Sequence, residues 1–353
     1  MIRLNRYLWR AVMVPTLALV LVLVALNSLF AFIYELEWLR DDYQAWQALM
    51  FVLTTSPRTL VDFMPMAILL GTLLGLGLLA NSGELTVVRA AGVSTFRICW
   101  MVMRPAILLL LVTALVGEYV APYAEQVAQS NRAMAESGGA ALKSKYGYWH
   151  REGEEFIHIN AVQPNGVLYG VTRYRYDDQD HLEESLFIRR AIYQGDHWFM
   201  EDISGSRIQG DRVEPYVLDS GVWETSLTPQ LLSMIILKPE HLALSKLKEY
   251  ASYLSRQGLE AGEYLLAFWQ KLLQPLATLG MVLVATSFIF GPLRQVTMGL
   301  RMTAGIATGL AFHYGQQFFG HMSLVFDTSP MLAALIPALL SIFVGMLLLV
   351  RSR

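Results

Sequence analysis

The chain has 353 residues, 54% of them hydrophobic and only 16% charged, with a mean hydropathy of +0.41 and a formal net charge of -2. That composition excludes an ordinary soluble globular protein of this length, and a near-neutral charge without a basic cluster excludes a nucleic-acid-binding one. The single cysteine, Cys99, excludes an internal disulfide framework.

Arg3, Arg6 and Arg10 precede the first apolar run, residues 11–33. The pattern imitates a secretory signal, but the run exceeds the roughly 7–15 residues of a signal core, so it reads as an uncleaved span. A span needs about 20 mainly apolar residues. Segments 63–83, 98–121, 272–293, 302–326 and 328–350 also reach that length. In 98–121, Arg104 and Glu118 lie near opposite ends, where each can snorkel to an interface. Gly71 with Gly75, and Gly305 with Gly309, have the spacing of close helix contacts, although glycine is also frequent in membrane helices at large.

The turn at 82–92, between the second and third runs, reads as a small capped helix of about two turns. Asn81 or Ser82 is expected to cap its first amides, Glu84 sits at the positive end of its dipole, and Gly92 is placed to stop it. Lipid contact and protein docking both fit such a helix. Its apolar residues are small and it lacks a Trp or Lys anchor, which favours docking on a groove of another protein.

Residues 122–264 read differently. Segments 156–162, 167–176, 186–193 and 197–200 are rich in β-branched and aromatic residues, turn signals separate them, and two more strands are expected near 205–208 and 221–225. Many short strands with frequent turns point to a sandwich or jelly roll. A helix over 246–255 then returns the chain to the membrane. The predicted fold is an α-helical membrane protein of six transmembrane helices, with an all-β, jelly-roll-like domain inserted between helices 3 and 4. The predicted divisions are 1–125 (helices 1–3 and the small helix), 140–245 (β domain) and 262–353 (helices 4–6).

Basic residues set the orientation. Arg89, Arg97, Arg104, Arg294, Arg301, Arg351 and Arg353 join the N-terminal arginines on one side. The positive-inside rule then places both termini in the cytoplasm and the β domain outside, which in a Gram-negative cell is the periplasm.

No G-x-x-x-x-G-K-[ST], H-E-x-x-H, G-x-S-x-G or cysteine pair occurs, so no catalytic group, metal or cofactor is expected. His313 and His321 lie eight apart on one helical face; packing or a polar wall is favoured over metal or proton chemistry.

The stretch SFIFGPLR (287–294) followed by MGLR (298–301) resembles the segment between the fourth and fifth spans of the LptF/LptG family of lipopolysaccharide-export permeases. LGLG (74–77), SGEL (82–85) and AAG (90–92) are similar to that family's coupling-helix segment. EYVAP (118–122), Glu125-Gln126 and Asn131-Arg132 resemble its exit from the third span. The likeness covers the whole chain. It implies a pair with an LptF-type permease above a dimer of LptB-type ATPases, which would supply ATP hydrolysis that this chain cannot. Lipopolysaccharide would leave the outer leaflet of the inner membrane through gates on the first and fifth spans. It would then pass through the β-jellyroll to LptC and an LptA bridge toward the outer membrane.

By the same resemblance Glu84 would contact the ATPase, with Leu85, Val88, Arg89 and Gly92 in or beside its groove. Phe30, Phe32, Phe318 and Phe319 would neighbour acyl chains, and Arg132 matches a basic position of the family. Where family members often carry several lysines at the outer end of the first span, this chain has Arg40 among Glu35, Glu37, Asp41 and Asp42. Arg40 as a phosphate ligand and Arg40 as a carboxylate partner therefore remain alternatives. The paralogous LptF permease and lipoprotein exporters fit the quoted motifs less well. A secondary transporter would need charged residues in mid-span, and those positions are nearly empty.

Overall fold

The computed structural model describes residues 2–37, 43–137, 148–163, 166–177, 181–209, 212–229, 231–232, 238–256, 260–291 and 296–351. It divides into two compact units: residues 1–27, 57–120 and 242–353 form one, and 28–56 with 121–241 form the other.

The first unit is helical. Its elements come from α1 (Ile2–Leu36), α2 (Ala45–Asn81), α3 (Glu84–Ala90), α4 (Thr95–Leu115) and a π-helical turn (Val116–Val120). After the β domain follow α6 (Leu244–Arg256), α7 (Gly262–Phe290), α8 (Met298–Val325) and α9 (Pro330–Arg351). Helix α5 (Ala121–Ser137), which continues the π-helical turn, belongs to the second unit.

Among the described residues five helices are long and apolar enough to cross a membrane: Arg3–Leu36, Ala45–Asn81, Thr95–Arg132, Gly262–Phe290 and Pro330–Arg351. The expected fifth span is α8, whose 28 residues suffice in length but not in apolarity. Arg301, His313, Gln316, Gln317 and His321, with five glycines, dilute it.

Proline occurs inside several of these helices, and side chains nearby take up backbone carbonyls. Beside Pro15, Thr16 Oγ1 donates to Val12 O at 2.8 Å; beside Pro57, Ser56 Oγ donates to Val52 O at 3.0 Å. Each is a back-bond from a hydroxyl to the carbonyl four residues before it, within one turn of the same helix.

Both glycine spacings are used for close approach. A Cβ on Gly71 or Gly75 would strike Thr16 or the Ala11 carbonyl of α1, while Gly305 and Gly309 of α8 admit Leu73 and Met66 of α2. Glu118 is tied to the start of another helix. From the π-helical turn its carboxylate accepts the Leu244 and Ser245 amides at 2.8 and 3.2 Å, capping α6. Lys271 Nζ donates to Leu242 O at 2.6 Å beside it.

The second unit holds one antiparallel sheet of six strands in sequential order: β1 (Tyr148–Glu152), β2 (Glu155–Val162), β3 (Val167–Tyr176), β4 (Leu182–Tyr193), β5 (Trp198–Gln209) and β6 (Arg212–Trp223). The inserted all-β domain is thus present, with hairpin connections rather than jelly-roll crossovers between these strands. The expected strands at 197–200 and 205–208 are one strand, β5, and β6 begins well before 221. Glu201 and Asp202 interrupt the apolar run of β5 and conceal its continuity.

That interruption has a structural role. Gly170 and Asp202 both have positive φ, 64° and 54°, and the register aligns them through Arg189, which lies 3.5 Å from Asp202. Along this row the inward face changes parity. Ala191, Trp198 and Met200 are buried on one side of it; Leu186, Ile188 and Ile203 are buried on the other. A single sheet thereby bends to feed one core, which Ile157, Ile159, Val171 and Trp223 complete.

A ladder of charges crosses the sheet at one end of this core. Glu155 faces Arg175, which faces Glu184, which faces Arg207. Glu184 lies 2.5 Å from Arg175 and 3.2 Å from Arg207, and Tyr216 donates to it at 2.9 Å. Burial pushes the Glu184 carboxyl up, but Tyr216, Arg175 and Arg207 outweigh it, and the net direction is down. Its contribution to stability is therefore complete above the ordinary carboxylate range and is lost as pH falls through the lowered value. Glu184→Gln should cost the β domain about 1–3 kcal/mol at neutral pH and flatten its loss of stability on acidification. Denaturant titrations at about pH 7 and about pH 4, read by tryptophan fluorescence, would measure both effects.

Candidate functional site

Helix α3 is short because glycine bounds it on both sides. Gly83, at φ 79°, occupies its N-cap, and Gly92, at φ 84°, follows its last turn. The expected side-chain cap by Asn81 or Ser82 is absent. The Thr86 and Val87 amides instead bond to Gly83 O at 3.0 and 3.2 Å, because Asn81 still belongs to α2 and Ser82 is turned elsewhere. Ser82 Oγ reaches Leu79 O at 3.2 Å and Glu84 Oε1 at 3.0 Å.

Three ties hold this helix to its surroundings. Tyr7 of α1 donates its hydroxyl to Glu84 Oε2 at 2.6 Å. The Arg89 guanidinium lies 5.7 Å from the ring centre of Phe290, the last residue of α7. Leu85 is 4% exposed and packs in the core of the helical unit with Val93, Ile98 and Phe290. Leu85 therefore anchors the helix within this chain. Val88 is half-buried against the same core. The outward surface consists of Glu84, Thr86, Val87, Ala90, Ala91 and Gly92. Val87, 68% exposed, is the apolar side chain offered there. Helical periodicity allows either face to be the outer one, so the sequence could not rank Val87 above Leu85.

The expected acyl-chain residues fall in two places. In the second unit Phe30 is 67% exposed and Phe32 is half-buried. In the helical unit Phe318 is 61% exposed and meets Phe319 edge-on, with ring centres 5.9 Å apart. Beside Phe318, α8 exposes a polar row. Gln317 Nε2 is 3.2 Å from His313 Nε2, and His321 Nδ1 is 2.8 Å from Gln317 O. Both histidines thus have local partners, and no cluster of potential metal ligands occurs among the described residues. Cys99 is buried.

Arg132 is not an open cation. It is buried, with Nη1 2.8 Å from Glu35 Oε1, and its guanidinium lies 5.1 Å from the Phe51 ring centre. Tyr43 adds a hydrogen bond to Glu35 at 3.3 Å. Arg40 lies outside the described residues.

The family described as lipopolysaccharide export system permease LptF/LptG matches residues 6–351. The chain is 36% identical to lipopolysaccharide export system permease protein LptG of Escherichia coli (strain K12), over 99% of this chain and 98% of that protein. It is also 36% identical to the protein of that name from Haemophilus influenzae, over 99% of each chain.

Gly83→Ala would place a Cβ on a left-handed residue although nothing lies within 4 Å of it, so its cost is conformational rather than steric. The expected effect is a loss of about 1 kcal/mol, concentrated at the α2–α3 junction. Faster amide exchange over 84–90, with exchange in α9 unchanged, would show it.

Proposed function

Because the chain belongs to the LptF/LptG family of lipopolysaccharide export permeases, we propose that α3 is the element through which it is driven by a separate ATPase. The chain is a permease subunit of a lipopolysaccharide-export ABC transporter and a multi-pass inner-membrane protein. Both termini would lie in the cytoplasm and the β domain in the periplasm. Its partners would be an LptF-type permease, a dimer of LptB-type ATPases, LptC and an LptA bridge.

One observation carries this reading. A helix of seven residues, outside the apolar core on one face, is fixed to α1 by Tyr7–Glu84, to α7 by Arg89–Phe290 and to the core by Leu85. A merely connecting turn has no need of such ties. A docking element must be rigid, because force applied to a loose one would be lost in local rearrangement. Glu84, Val87 and Gly92 would present the contact, Arg89 would flank it, and Leu85 with Val88 would transmit it inward.

The substrate gives the helices their task. Removing a multi-acyl lipid from a bilayer costs about 0.8 kcal/mol for each CH2 exposed to water, so acyl chains must pass along apolar surface. Phe30 and Phe32 on the first helix, and Phe318 and Phe319 on α8, would supply such surface. A phosphate of lipid A would take Arg132 by replacing the Glu35 carboxylate with an anion of similar geometry.

Purification from native membranes at matched expression tests the docking. The unaltered chain should retain a small ATPase subunit and a second permease. Glu84→Arg reverses the charge at the contact and should lower ATPase recovery by about tenfold or more while the second permease stays bound. Recovery of the ATPase with both chains would remove Glu84 from the interface. Recovery with neither would remove the ABC transporter.

A further inference from the structure

Arg301 stands at the fourth position of α8 and is 1% exposed, one of the largest fully buried side chains in the protein. Its Nη1 donates to two acceptors near the end of α2: Gly77 O at 3.0 Å and Asn81 Oδ1 at 2.8 Å. Asn81 is the last residue of α2, and Glu84, the first of α3, follows three residues later. The positive guanidinium thus lies at the negative end of the α2 dipole, where a cation is favoured.

The packing around it is shaped to match. A Cβ on Gly77 would come within 3.1 Å of Met298 Sδ, so this glycine leaves room for the first turn of α8. One and two turns further along α8, Gly305 and Gly309 let the side chains of Leu70, Leu73, Met66 and Leu69 sink against its backbone. From Arg301 to Gly309 the two helices therefore form one seam. Its polar end adjoins α3, and Phe318 lies further along α8.

We propose that Arg301 is a positioning residue which couples α3 to α8, so that displacement of the docking helix is carried through the end of α2 into the helix that bears Phe318 and Phe319. This inference rests on the ATPase-driven reading given above. Packing alone would not select arginine, since an apolar side chain could fill a buried site without the desolvation cost of a charge. What arginine adds is direction. A planar guanidinium joined both to a backbone carbonyl and to a side chain fixes the end of α2 in rotation as well as along its axis, which a single ammonium cannot do as well. A rigid connection of this kind is the physical requirement for coupling between separated sites.

The test uses the complete complex in lipid vesicles, with ATP hydrolysis and lipopolysaccharide release measured on the same preparation. Arg301→Lys, which retains the charge, and Asn81→Ala, which removes one acceptor and leaves Arg301 its contact with Gly77, are compared with the unaltered chain. Both variants should keep the ATPase bound and hydrolyse ATP at rates within about twofold of the unaltered complex, while lipid released per ATP falls by about fivefold or more. Proportional loss of hydrolysis and release would make Arg301 a structural residue and overturn the proposal. Unchanged release per ATP in Asn81→Ala, with intact assembly, would overturn it also. If the unaltered complex hydrolyses no ATP and releases no lipid, the transport reading fails first and this inference falls with it.

Discussion

A bilayer offers no water to an unpaired amide, carbonyl or charge, and that constraint governs where this chain can afford polarity. Its apolar helices satisfy their own backbones. Hydroxyls within them, such as those of Thr16 and Ser56, donate to the carbonyl four residues earlier. Three charges in the helical unit are committed at or beside helix ends: Glu118 caps α6, Lys271 takes the Leu242 carbonyl, and Arg301 takes the end of α2. Each ties a helix to a neighbouring segment of the chain. Polarity is scarce here, so it marks the joints.

The same economy explains α3. Its boundaries are made by two left-handed glycines, which require no buried polar cap, and Leu85 seats it in the core. Ser82, Tyr7 and Arg89 hold its exposed side. The β domain meets a different requirement, a core assembled from a single sheet. It does so with a bend at Gly170 and Asp202, which reverses the inward parity so that both halves of β4 and β5 face one interior. The charge ladder of Glu155, Arg175, Glu184 and Arg207 stands at one end of that interior.

Much of this was legible in the sequence because its signals are long and repeated. Apolar runs, an insert rich in β-branched and aromatic residues, and Gly92 marked the helices, the β domain and the end of α3. Strand boundaries were harder to read. Polar residues in β5 look like a turn although they form a bend, and β1, short and charged, has no apolar alternation. Side-chain roles were less legible still. Glu118 and Arg301 looked like interface charges because a sequence does not say what lies across a helix. Leu85 and Val87 are equally apolar, and only the packing of α3 shows which points inward.

The proposed role of α3 is to carry work from ATP hydrolysis on a partner subunit into lipid export. The most direct measurement is lipopolysaccharide release from vesicles containing the purified complex, with ATP and an imposed ion gradient varied independently. Release that requires hydrolysable ATP and persists when the gradient is collapsed is the predicted result. Release that follows a proton or sodium gradient and ignores ATP would contradict the account and make the chain a secondary transporter.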